Sequence, residues 1–150
     1  MVGTGTAASC TDAALDAALA SGVVVAFDCG GPATIDISTG TGTKTVAADT
    51  TIDGGGLITI SGGNVAEVFV IPDGVNFTVQ NLTVANGRLV GDSGGGIMSW
   101  PPCDSNPCNQ SFSLLLRNTI PADNLAAYPS SRVSLPSRPT VRILRACGFC

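Results

Sequence analysis

Thr45-Val46-Ala47-Ala48-Asp49-Thr50-Thr51-Ile52-Asp53-Gly54 is echoed by Thr78-Val79-Gln80-Asn81-Leu82-Thr83-Val84-Ala85-Asn86-Gly87. Both stretches read Thr-Val, a short polar step, Thr followed by a β-branched residue, and a Gly turn. A recurring strand–turn–strand unit is the mark of a solenoid, whose coils stack and bury a shared core. Each strand then lies about 4.8 Å from its equivalent one coil away. Inward positions take small and β-branched residues, which suits a chain with 5% aromatics. The same spacing of short strands is compatible with an antiparallel sandwich, the alternative architecture.

Other short apolar segments surround this repeat. Val23-Val24-Val25-Ala26-Phe27 and Val68-Phe69-Val70-Ile71 are nearly continuous runs, as in strands buried on both faces. Thr34-Ile35-Asp36-Ile37-Ser38 and Leu57-Ile58-Thr59-Ile60-Ser61 alternate polar and apolar. Gly30-Gly31-Pro32, Gly40-Thr41-Gly42, Gly54-Gly55-Gly56, Gly62-Gly63-Asn64, Asp73-Gly74 and Asn86-Gly87 mark turns between them. Ahead of the strands, Ser9-Cys10-Thr11-Asp12 fits a capping box with Ser9 as N-cap. An Ala-rich helix follows, with Leu15, Ala18 and Leu19 on one face and Gly22 as terminator.

Composition divides the 150 residues after Met98. Residues 1–98 hold 18 of the 19 glycines and carry a net charge of −7; residues 99–150 hold seven of the nine prolines and carry +3. The expected organisation is therefore a cap helix with the first coils over 1–98. An irregular Pro-, Ser- and Arg-rich tail over 99–150 follows, read either as out-of-frame translation or as a true linker. A short strand near Ser111–Arg117 is the one regular element expected there. The net charge of −4 and the lack of a basic stripe argue against a nucleic-acid partner. No apolar run is long enough to span a bilayer. The start Met1-Val2-Gly3-Thr4 has neither a basic nor an apolar stretch, so export would require residues upstream of Met1.

Residues 2–97 carry a resemblance. Ser9–Leu15 through Phe27-Asp28-Cys29-Gly30-Gly31-Pro32 is similar to the N-terminal cap of bacterial right-handed parallel β-helix proteins. Asp49–Ile60 looks like an early coil of the same family. Val79–Gly87 and Gly94-Gly95-Gly96-Ile97 resemble repeats of pectate-lyase-like and polymorphic-outer-membrane-protein-like surface proteins. The resemblance implies an all-β fold: a right-handed parallel β-helix of three to four coils, capped by the helix. It also implies a secreted or cell-surface bacterial protein, but does not fix activity, because such scaffolds host enzymes, adhesins and structural passengers alike. In a secreted protein Cys10 and Cys29 would staple the cap to the first coil.

Candidate chemistry is sparse. The absence of His removes His-based triads and the commonest general base. Asp28, Asp36, Asp49, Asp53, Asp73 and Asp92 are too scattered for sequence to pair any two as a glycosidase couple. The polygalacturonase elements (Asp-Asp, Gly-His-Gly and Arg-x-Lys) are missing, and only Lys44 and Arg88 are basic in the matching region. Gly40-Thr41-Gly42-Thr43-Lys44-Thr45 fails as a phosphate loop because Thr43 stands where Gly must precede the Lys; it is expected to be a flexible turn. Cys103, Cys108, Cys147 and Cys150 are spaced too widely for a compact zinc ribbon. Asn76, Asn81 and Asn109 open formal glycosylation sequons. No catalytic residue, metal or cofactor is therefore expected. The expected role is a non-catalytic, adhesin-like or structural surface passenger whose partner is a host or matrix polysaccharide or protein. The alternatives are a fragment of a pectin-lyase-like enzyme without its catalytic coils, or a truncated product without a function of its own.

Overall fold

The computed structural model describes residues 1–21, 23–89, 95–100, 113–126 and 140–144. A 3-10 turn at Ala7–Ser9 leads into helix α1 (Asp12–Ser21). Strands β1 (Val24–Ala26) and β2 (Ala33–Asp36) follow, then β3 (Lys44–Thr45) and the long β4 (Thr50–Ser61). After these come β5 (Phe69–Pro72), β6 (Asn76–Ala85), β7 (Arg88–Leu89) and β8 (Ile97–Trp100). The last strands are β9 (Ser113–Arg117), β10 (Ile120–Ala122), β11 (Leu125–Ala126) and β12 (Thr140–Leu144).

One seven-stranded sheet dominates, and β4 is its spine. β1 and β2 both pair with β4 in parallel, β6 lies along its other side, and β9 and β10 lie on β6. A second parallel sheet has the order β3-β5-β8, and a third pairs β7 with β11. Strand side chains alternate between faces, so equivalent inward residues stack into columns. Val25, Ile52, Val79 and Leu116 form one; Ile35, Ile60 and Val84 another; Thr50, Phe77 and Leu114 a third. All of these are buried. Phe69 and Phe77 meet edge-on, with ring centroids 5.1 Å apart. Their packing joins the second sheet to the first.

Several expectations need correction. The described residues do not form an all-β, closed solenoid of three to four coils. The fold is mixed, with one short helix and about 47% strand, and its sheets do not close. β4 and β6 pass through left-handed residues, Gly55 and Gly56 in one and Asn81 in the other, yet both stay hydrogen-bonded in one sheet on either side of these corners, so β1 and β2 share one partner strand. The sheet ends in an antiparallel pair, β12 against β9. The repeat is real, but its register differs from the sequence reading: Thr51 pairs with Thr78 and Thr59 with Thr83, whereas Thr45 pairs with Val70. The first apolar run is not buried on both faces, since Val23 and Val24 are exposed while Val25 is buried.

The tail forms the expected short strand, as β9, but the expected irregularity beyond it is corrected over Ile120–Ala126, where β10 and β11 follow. Its segments repeat Asn76–Leu89 in register, with Leu114 on Phe77, Leu116 on Val79, Ile120 on Thr83 and Leu125 on Arg88. Even the corner is reproduced. Asn81 and Asn118 both take positive φ, at 52° and 45°, and the Asn118 amide donates to Asn81 Oδ1 at 3.0 Å. Asn accepts this left-handed conformation more readily than other side-chain-bearing residues. Gly22, Asp92, Asn109, Cys103, Cys108, Cys147 and Cys150, all singled out in the sequence, lie outside the described residues.

Phe77 fills the centre of its column and touches both sheets, so truncation removes contacts on several sides at once. Phe77→Ala should cost about 3–5 kcal/mol. Urea unfolding of the full chain checks this, as a lowered midpoint at nearly constant slope.

Candidate functional site

The polar chemistry of the molecule gathers at its N-terminal end, where α1 lies against the first strands. Thr11 caps the helix: its Oγ1 accepts from Ala14 N at 3.2 Å. The sequence placed the cap two residues earlier, at Ser9. Instead Ser9 closes the preceding 3-10 turn, donating to Thr6 O at 2.6 Å and accepting from Thr4 N at 2.8 Å. Leu15 and Ala18 are buried on the inner helix face, and Leu19 packs beside them.

On the neighbouring helix face Asp12 and Asp16 stand one turn apart, a spacing that brings side chains together. Both meet Lys44, whose side chain is 1% exposed. Its Nζ contacts Asp12 Oδ1 and lies 2.9 Å from Asp16 Oδ1. Thr41 completes the cluster. Its N–H donates to Asp12 Oδ2 at 2.7 Å, and its hydroxyl accepts from Lys44 while lying within reach of both carboxylates. Gly40 makes the approach possible, since a Cβ there would sit 2.0 Å from Asp12 Oδ2. Burial pushes the Asp12 carboxyl up, but hydrogen bonds from Lys44 and Thr41, with the Lys44 charge, outweigh it and hold the group below the usual carboxylate range.

Beside this cluster opens a cleft of about 430 Å³ lined by Thr11, Asp12, Thr34, Asp36, Thr39 and Thr41, among others. Cys10, Ala13 and Ile35 also line it, and most of its exposed surface is apolar despite the hydroxyls and carboxylates at its edge. The carboxylates are already engaged inside the protein. Asp36 Oδ1 accepts from Ser38 N at 2.9 Å and from Ser38 Oγ at 2.6 Å.

The other acidic residues singled out in the sequence lie apart. Asp49 accepts from Asn76 N and Nδ2, both at 2.8 Å, and these bonds lower its pKa. Asp53 accepts from Asn81 Nδ2, Gly55 N and Gln80 Nε2; the Asn81 bond leads in holding its carboxyl low. These bonds join one strand layer to the next. Asp28 is exposed, with its backbone oxygen accepting from Gly5 N, and Asp73 lies exposed after β5. Among the described residues no group of three or more His, Cys, Asp or Glu is placed to hold a metal. None of the described helices is long and apolar enough to cross a membrane.

Cys10 and Cys29 are bonded, with Cα atoms 5.6 Å apart, and both are buried. Val2 threads alongside, donating to Ala26 O and accepting from Asp28 N, both at 2.8 Å. The cap is thus held by a covalent bond, a short parallel bridge and an ionic cluster. Lys44 is the residue that sequence reasoning missed: the expected flexible turn ends in a buried cation. The available signal was the Asp12–Asp16 spacing together with the scarcity of bases in residues 1–98. No family model, curated protein or solved structure matches the chain.

The geometry sets the response of the fold to acid, to loss of Asp12 and to loss of the disulfide. A carboxyl whose pKa is lowered by folding stabilises the fold above its unfolded value, and that contribution is lost as pH falls through the folded one. Stability should therefore decline below about pH 4. Asp12→Asn should make that decline shallower, as denaturant midpoints across the acid range would show. At neutral pH the same variant should cost on the order of 3 kcal/mol, because it leaves Lys44 buried with Asp16 as its one counter-charge. Separately, replacing both Cys10 and Cys29 by Ala should cost about 2–4 kcal/mol. A lowered thermal midpoint that no longer responds to reductant would show it.

Proposed function

We propose that this chain is a non-catalytic module of an exported or cell-surface protein, adhesin-like or structural, with a matrix polysaccharide or protein as its partner. The observation that carries the reading is the buried Cys10–Cys29 bond at the capped end. Disulfides persist in oxidising compartments, where small domains use them to supplement a limited core. The use of the acidic residues supports the same reading. Asp12, Asp36, Asp49 and Asp53 each accept bonds from within the protein, several of them from a neighbouring strand layer. An acid–base pair needs carboxyls that face a substrate and exchange protons near the working pH, whereas lowered values at Asp12, Asp49 and Asp53 keep those groups ionised. The net charge of −4 favours partners other than nucleic acid.

The test uses the full oxidised chain against a panel of immobilised acidic and neutral polysaccharides and matrix proteins. The expected result is saturable retention by at least one of them, with no release of reducing ends or unsaturated products on long incubation. Turnover of any polysaccharide, abolished by replacing a single Asp, would overturn the proposal in favour of a carbohydrate-active enzyme. Absence of any retention would overturn it as well.

A further inference from the structure

We infer that Asn86-Gly87 is a latent self-modification site, held shut by the strand layer formed by β9, β10 and β11. Asn-Gly is the dipeptide in which a backbone nitrogen most easily reaches a side-chain amide, and Asn ranks among the thermolabile residues of proteins. The backbone geometry suits both members of the pair. Asn86 turns the chain at φ 50°. Gly87 has no room for a side chain, since a Cβ would sit 1.8 Å from Gly95 O.

The reaction has simple bookkeeping. The Gly87 nitrogen loses its proton and attacks Asn86 Cγ; the new C–N bond closes a five-membered succinimide, and the Cγ–Nδ2 bond breaks to release ammonia. Solvent water then opens the ring to Asp or to isoaspartate, whose backbone runs through the side chain. Nothing is oxidised or reduced.

Every group needed for the first step is restrained. The Gly87 N–H donates to Asn124 Oδ1 at 2.8 Å, so the nucleophile is occupied. Asn124 is itself anchored by its Nδ2, which donates to Val84 O at 2.9 Å. Asn86 Nδ2 donates to Ser61 Oγ at 3.2 Å, its N–H donates to Ala122 O at 3.1 Å, and its carbonyl accepts from Asn64 N at 2.8 Å. Of the four bonds made by the pair itself, two come from the last layer, through Ala122 and Asn124. Lifting that layer frees the nucleophile, and the modification then records the opening.

The full chain is held in mildly alkaline buffer, folded or in urea, and conversion at Asn86 is followed by peptide mapping and isoaspartate assay. Conversion in the folded protein should be roughly tenfold slower or more. Asn124→Ala should move the folded rate towards the denatured one. Asn124→Asp, which keeps an acceptor for Gly87, should stay near the parent. Equal rates in the folded and denatured parent overturn the inference. So does an Asn124→Ala chain that remains folded by circular dichroism and converts as slowly as the parent. Should that variant unfold, the parent comparison and the Asp variant still decide.

Discussion

Parallel pairing of β4 with β6 fixes where each inward side chain can go, because strand side chains alternate with a period of two and a slip of one residue would turn every column inside out. With Ile52 beside Val79 and Ile60 beside Val84, the register extends to Val25 and Ile35 on one side and to Leu116 on the other. Each column then carries an apolar side chain at nearly every layer. Polar bonds reinforce the same register from outside, as Asp49 meets Asn76 and Asp53 meets Gln80 and Asn81. The corner residues repeat this logic, because the Asp53–Asn81–Asn118 series joins three layers through side-chain amides.

Much of this was legible in the sequence, for physical reasons. Alternating Thr and Ile over Leu57–Ser61 can bury only one face, and the structure buries Ile58 and Ile60. The helix face of Leu15, Ala18 and Leu19 was equally clear, because an amphipathic helix has few other ways to lie. Register was harder to read. A Thr-Val pair occurs in more than one layer, and only the loop lengths decide which copy lies over which. The Gly54–Leu57 loop adds residues to β4 that Asn81 alone answers in β6, so pairing shifts between Asp53 and Ile58. No local pattern announces such a shift.

The strands that follow β9, over Ile120–Ala126, were hidden for a different reason. Leucines replace the Thr-Val alternation ahead of them, and Pro121 argues against a strand. A Pro lacks one donor, which matters only where a neighbour needs it. Among the described residues β10 pairs with β6 alone, so Pro121 can stand opposite Val84 while its missing N–H faces away from the ladder. Thirty-seven residues separate Asn81 from Asn118, against twenty-eight between Asp53 and Asn81, which further masked the repeat.

The candidate site was legible only in part, because its key residue contradicts the rule that governs its column. Lys44 aligns with Phe69, which in turn aligns with Ile97, so it occupies an apolar position filled by a cation in one layer alone. Burying a charge is costly without partners, and an apolar residue of similar size would often serve stability as well. What distinguishes this layer is its neighbour. The next layers are covered by further strands, whereas the first is covered by a helix presenting Asp12 and Asp16. An apolar residue there would accept the helix in several rotations; a cation between two carboxylates one turn apart, with Thr41 fixing one of them, accepts essentially one. The ion cluster thus sets the orientation of the cap, while Leu15 and Ala18 supply its apolar contact and the Cys10–Cys29 bond limits how far it can separate.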